Sequence, residues 1–148
     1  MNKKEILARI APCGLACYKC VGFAAGEVQY HSQKTLELLK NFDSYAEKFS
    51  KFMPVYNKYP DFKEILKVFS EASCEGCRGG ICKFPGCGVA PCIKEKDFNF
   101  CYECEEFPCD KMNNDSNLKE RWIKMNRRIK EIGLEEYYEE TKTKPRYE

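Results

Sequence analysis

The stretch CEGCRGGICKFPGCGVAPCIKEKDFNFCYECEEFPC, residues 74–109, holds eight of the eleven cysteines in the chain. It begins with Cys74-Glu75-Gly76-Cys77 and ends near Cys101-Tyr102-Glu103-Cys104, two C-x2-C knuckles whose tight turns can aim both sulfurs of a pair at one ion. Each knuckle is followed five residues on by another cysteine, Cys82 and Cys109, and Cys87 and Cys92 repeat that interval. Gly76, Gly79, Gly80, Gly86, Gly88, Pro85, Pro91 and Pro108 break any helical or strand period across the segment. A long irregular stretch inside a compact domain needs something other than secondary structure to hold it. One structural zinc contributes on the order of 10–16 kcal/mol at neutral pH, comparable to the whole stability of a small domain. Residues 73–110 are therefore expected to be an irregular loop region shaped by metal.

A second group, Cys13, Cys17 and Cys20, lies near the start. An odd cysteine count fits poorly with a closed disulfide framework. The basic opening Met1-Asn2-Lys3-Lys4 is not followed by an export segment, because Arg9 and Pro12 interrupt the apolar run. Gly14-Leu15-Ala16-Cys17 imitates a lipoprotein cleavage box with its leucine one position late. No run reaches the roughly 18 apolar residues of a membrane span. These features predict a cytoplasmic protein whose cysteines stay reduced. Metal ligation then accounts for all eleven: Cys13, Cys17, Cys20, Cys74, Cys77, Cys82, Cys87, Cys92, Cys101, Cys104 and Cys109.

The rest of the chain reads as helix. Residues 2–10 form a short helix with Ile6, Leu7 and Ile10 on one side, ended before Pro12. Residues 32–53 repeat apolar side chains every three or four positions, from Leu36 to Met53, with Ser32 as the cap and Pro54 as the stop. Residues 61–72 repeat the pattern with Phe62, Ile65, Leu66 and Phe69 behind an Asp61 cap. Both apolar stripes are expected to be core. Residues 117–132 carry Leu118, Trp122, Met125, Ile129 and Ile132, with an Asn117–Glu120 capping box and Gly133 at the C-terminal end. The acidic residues 135–140 add a turn or two, and the tail beyond is polar. At 148 residues the expectation is one small domain, mostly α with a Cys-rich metal-stabilised loop region. Its parts are 1–31 with the N-terminal cysteines, 32–72 as a helical pair, 73–110 as the metal region and 111–148 as the last helix and tail.

The ligand set favours zinc, two or three ions, since eleven cysteines plus the single histidine, His31, would fill three tetrahedral sites. His31 precedes the 32–53 segment, where a cap or surface role is the commoner one. Spacing does not say which cysteines share an ion. An iron–sulfur cluster is the alternative cofactor, because Cys13-x3-Cys17-x2-Cys20 has the spacing of radical S-adenosylmethionine enzymes. Those enzymes need a partial barrel, an aromatic residue where this chain has Lys19, and a glycine-rich segment that does not follow here. The ferredoxin run C-x2-C-x2-C-x3-C-P is also absent.

Ala11-Pro12-Cys13-Gly14-Leu15-Ala16-Cys17-Tyr18-Lys19-Cys20, the knuckle Cys74-Glu75-Gly76-Cys77, and Cys101-Tyr102-Glu103-Cys104-Glu105-Glu106-Phe107-Pro108-Cys109 together resemble the domain-of-unknown-function 3795 family of bacteria and archaea. Gly133-Leu134-Glu135-Glu136-Tyr137 is similar to the family's ending. The resemblance implies a small Cys-rich cytosolic protein that binds zinc, and it implies no activity.

Function follows as a zinc-binding protein whose closed all-Cys sites present a surface to a protein partner, with an iron–sulfur redox protein as the alternative. A zinc-thiolate enzyme and a nucleic-acid binder are further alternatives. The chain has no Ser-His-Asp set, P-loop or H-E-x-x-H, so the reading leans against an enzyme. Lys119, Arg121, Lys124, Arg127, Arg128 and Lys130 make a basic helix, but Glu103, Glu105, Glu106 and Asp110 beside the knuckle would repel phosphate. A net charge of +2 supplies no general attraction to nucleic acid or membrane.

Overall fold

The computed structural model describes residues 1–79, 84, 86–112 and 115–147. Cys82, one of the expected ligands, lies outside them. Among the described residues the chain is helical without strands, as the periodicity indicated, and only an isolated bridge joins Ile10 to Ala16. The helices are α1 (Lys3–Arg9), α2 (Glu27–Leu38), α3 (Asp43–Ser50), α4 (Tyr59–Ser70), α5 (Gly76–Gly79), α6 (Val89–Lys96), α7 (Ser116–Ile132) and α8 (Leu134–Thr143). They fall into two compact units, Lys19–Ser73 and a second formed by Met1–Tyr18 with Cys74–Glu148.

In the unit Lys19–Ser73, the single helix expected over 32–53 is two helices. The first starts earlier, at Glu27 behind a Gly26 N-cap, so Ser32 is buried within α2 rather than capping it. His31 is likewise inside that helix and exposed. The break falls at 39–42, where Asn41 takes φ 68°, a conformation that Asn tolerates better than most residues. No glycine or proline marks that break, so periodicity ran straight through it. Helix α4 begins at Tyr59 with Pro60 in its first turn, two residues ahead of the expected Asp61 cap. Gln29 Nε2 donates to the carbonyls of Ser70 and Ala72, at 3.3 and 2.7 Å, and Gln33 Nε2 to Ser70 O at 3.0 Å. These bonds satisfy carbonyls left open at the end of α4. Phe42 sits among the rings of Tyr45, Phe49, Tyr56 and Tyr59, with centroids 5.2–6.5 Å away. The expected core stripes are only partly core: Ala46 and Leu66 are buried, while Phe49, Phe52, Met53, Phe62 and Ile65 are exposed.

In the other unit, α1 is capped by a reciprocal Asn2–Glu5 box, with bonds of 2.9 and 3.0 Å. The cap of helix α7 lies two residues earlier than its sequence suggests: Asp115, not Asn117, caps it by accepting from Leu118 N at 3.0 Å. Gly133 ends α7 at φ 86°, ψ 165°, a region open to glycine, and begins α8 directly. Helix α8 extends to Thr143, well past the expected acidic turns. Ile6, Ile10, Ala16, Phe100, Ile129, Leu134, Tyr137 and Tyr138 form one buried cluster. Ala11, Cys13, Val89, Ile93, Cys101, Met112 and Trp122 form another. The 73–110 region is therefore less irregular than expected. It contains α6, whose Pro91 lies in the first turn where proline is tolerated, and it sends Val89, Ile93 and Phe100 into the core.

Candidate metal centre

Cys13 sits in a tight turn. Ala11 N donates to Leu15 O and Gly14 N to Ala11 O, each at 2.8 Å, and Gly14 adopts φ 92°. A Cβ on Gly14 would lie 2.6 Å from Met125 Cβ, so only glycine lets this turn lie against α7. Tyr137 Oη, from α8, donates to Gly14 O at 2.7 Å and pins the turn. The second knuckle is tied to the same loop, since Cys101 N donates to Pro12 O at 3.4 Å. Asn126, fully buried on α7, accepts from Tyr102 N and donates to Trp122 O, both at 3.2 Å.

Two neighbourhoods of sulfur result. In the first, Cys92, Cys101, Cys104 and Cys109 line one cavity of about 370 Å³ with Phe107, Lys96, Glu106 and Trp122. Burial pushes the Cys101 thiol up to about 11, the Trp122 indole opposes this, and Cys109, Cys92 and Cys87 add to it. Lys96 Nζ donates to Cys104 Sγ at 3.2 Å and to Glu106 Oε2 at 2.5 Å. In the second, Cys17 is hydrogen-bonded to the Cys77 side chain, and that bond, against burial and with Arg146 and Arg78 helping, holds Cys17 at about 7. Buried Cys13 faces Cys17, Cys87 and Cys101, and its thiol is pushed up to about 12, chiefly by burial.

The expected ligands thus divide. Cys13, Cys17, Cys77, Cys87, Cys92, Cys101, Cys104 and Cys109 belong to these two neighbourhoods. Cys74 is half-buried just ahead of α5, and Cys20 belongs to the other compact unit. No disulfide joins any of the ten described cysteines. Among the described residues, no three His, Cys, Asp or Glu side chains are gathered closely enough to hold an ion.

Two polar side chains stand beside the thiols of the cavity. Trp122 Nε1 is buried with no hydrogen bond of ordinary geometry, and the group it faces is the Cys101 sulfur, whose thiolate it favours. An orphaned buried donor is costly, and a metal-bound thiolate is an acceptor that would satisfy it. Lys96, already donating to Cys104 Sγ, would offset the charge of a metal-bound thiolate there. In the sequence Trp122 lies on the apolar stripe of the last helix, and neither Lys96 nor Arg78 stands out as a neighbour of the thiols. The only available signal was a cation next to a knuckle, Arg78 after Cys77.

No curated protein and no solved structure matches this chain. The family model described as "Protein of unknown function (DUF3795)" matches residues 9–114, which include every cysteine and exclude α7, α8 and the similar C-terminal ending. With that match spanning well over half its length, the chain belongs to the DUF3795 family.

Proposed function

We propose that the protein binds zinc through Cys92, Cys101, Cys104 and Cys109, in a closed structural site that shapes a surface for a protein partner. The observation that carries this reading is the buried Trp122 N–H facing the Cys101 sulfur, in a cavity lined by four cysteines. Four thiolates complete a tetrahedral zinc shell, leaving no open position for water or substrate, so the ion supplies cross-linking rather than catalysis. Cys101 and Cys104 come from one knuckle, Cys109 from the following loop and Cys92 from α6. An ion held by all four would tie that helix to the knuckle. Lys96 and Trp122 would balance and orient the thiolates.

The test is elemental analysis with an absorption spectrum on anaerobically purified protein. Zinc in a colourless sample is expected, and Cys104→Ser or Cys92→Ser should each lose one whole equivalent. Full metal retention in both variants would refute the assignment of these ligands. A visible absorption that bleaches on reduction, with iron and sulfide present, would replace zinc by the iron–sulfur alternative.

A further inference from the structure

In the unit Lys19–Ser73, helix α3 ends at Ser50, and a short 3₁₀ helix, Pro54–Lys58, leads directly into α4. The turn between them holds apolar side chains in water. Phe52 is 84% exposed, and Phe49, Met53 and Val55, close to it in sequence, are exposed as well. The turn is nonetheless well braced. Phe52 N and Met53 N both donate to Phe49 O, at 3.0 and 2.8 Å, and Tyr56 N donates to Met53 O at 3.1 Å. The rings of Phe49 and Tyr56 lie 5.7 Å apart, and each is 6.0 Å from Phe42, which packs in turn on buried Tyr59. The charge around this tip has one sign. Residues 48–60 contain Lys48, Lys51 and Lys58 and no aspartate or glutamate. All three lysines are exposed, and among the described residues none of them makes an ion pair. Lys48 Nζ lies 5.4 Å from the centre of the Tyr45 ring, which places its charge beside the aromatic side chains of α3. Of the two acids on α3, Asp43 is taken up by Lys63, at 2.6 and 2.7 Å, and only Glu47 opposes the lysines.

We propose that this tip docks the protein on the surface of anionic lipid bilayers, with Phe52, Met53 and Val55 entering the boundary between headgroups and acyl chains and Lys48, Lys51 and Lys58 meeting the lipid charges. Exposed apolar side chains scattered singly need no explanation, but several on one turn, bordered by cations alone, mark a contact surface. Aromatic rings and lysines together are the composition a bilayer interface favours, the rings at headgroup level and the ammonium groups reaching anionic lipids. A bilayer can take up a protruding turn without a matching pocket, whereas a protein partner would need a cavity shaped for Phe52. The turn also suits a medium poor in water. The amides of Phe52, Met53 and Tyr56 are already bonded, and Pro54 has no N–H to satisfy. Among the described residues no helix is long and apolar enough to cross a membrane, so the contact is with one face of the bilayer. The net charge of +2 gives the whole chain no general attraction to lipid; the attraction comes from three lysines concentrated at one place.

The experiment sediments the full-length protein with vesicles of phosphatidylcholine and phosphatidylserine in a ratio of about two to one, and with vesicles of phosphatidylcholine alone. Binding to the mixed vesicles is expected, with far weaker binding to the neutral ones and release as salt is raised. Lys51→Gln and Lys58→Gln should each weaken binding about fivefold at low salt. Phe52→Ser should weaken it several-fold without changing the circular dichroism or the metal content. A Phe52→Trp variant should gain fluorescence that brominated acyl chains quench, while Trp122 of the wild type, fully buried, stays unquenched. Failure to bind the mixed vesicles, or equal binding to both kinds, would overturn the proposal. So would unchanged affinity in the Phe52 and lysine variants, or a Phe52→Trp signal no more quenched than that of the wild type. A wild-type dimer in sedimentation velocity that Phe52→Ser turns into a monomer would overturn it too, by giving the face to a second copy of the chain. The zinc assignment to Cys92, Cys101, Cys104 and Cys109 is read from different variants and stands or falls separately.

Discussion

The unit Lys19–Ser73 and the unit carrying most of the cysteines hold their helices together by different means. In Lys19–Ser73, helices meet through aromatic contacts and a few glutamine bonds to helix ends, and apolar side chains remain outside: Leu38 and Phe52 are each 84% exposed. In the other unit, Trp122, Ile129 and Asn126 are completely buried, and polar side chains brace the backbone of the cysteine-bearing loops. A cavity lined by thiols needs walls that do not shift, and closely packed side chains provide them. The helical unit has no such demand on it and shows looser burial. The difference teaches that here the loops richest in glycine and proline are anchored to the better-packed half of the chain.

The comparison is tested most severely at Trp122. Trp122→Ala should destabilise its unit by about 3–5 kcal/mol through the cavity it leaves, visible as a lowered denaturation midpoint. An unchanged midpoint would mean that this core is not tightly packed. Gly14→Ala should follow, at about 1–3 kcal/mol, since its Cβ would collide with α7 and its positive φ disfavours alanine. Tyr137→Phe removes the 2.7 Å bond to Gly14 O and leaves a buried carbonyl open, at about 1–3 kcal/mol; a neutral outcome would show that the turn is held without it.

A pH experiment sharpens the same contrast at the surface of the cysteine-bearing unit. Arg128, with Lys144 contributing, holds the Glu140 carboxyl down at about 2, against an ordinary glutamate near ~4.3. Because the folded value is depressed, its stabilisation is present above the ordinary value and is lost as pH falls through about 2. Glu140→Gln should therefore lower the melting temperature slightly at neutral pH and not at all near the acid limit. A melting difference independent of pH would assign the effect to packing instead. The smallest effect belongs to the other unit: Phe52→Ser, at a site 84% exposed, should change stability by no more than about 0.5 kcal/mol. A loss of several times that would show that the aromatic edge of α3 is covered in solution.

Much of the helical framework was legible. The stripes of Ile6 and Ile10, and of Trp122, Met125 and Ile129, were read as packing faces, and α1 and α7 use them so. Boundaries fared worse where competing caps were available, as with Asp115 over Asn117, because either side chain can accept from a first-turn amide. The break at Asn41 was hidden because the residue's tolerance of positive φ becomes a turn only where the fold calls for one. Helix α6 was hidden by Pro91, whose ring forbids helix at interior positions and permits it in a first turn.

By itself, the sequence determined that this is a helical, thiol-rich chain of the DUF3795 family, because apolar period and cysteine spacing act over one or two turns of backbone. Only the tertiary structure decided which thiols are neighbours. Cys17 meets Cys77, and Cys92 shares a cavity with Cys101, Cys104 and Cys109, through the glycine turn seated on α7 and the arginine and asparagine bonds that draw distant loops to it. Contacts between segments far apart in the chain depend on the packing of everything between them, and no local spacing encodes that.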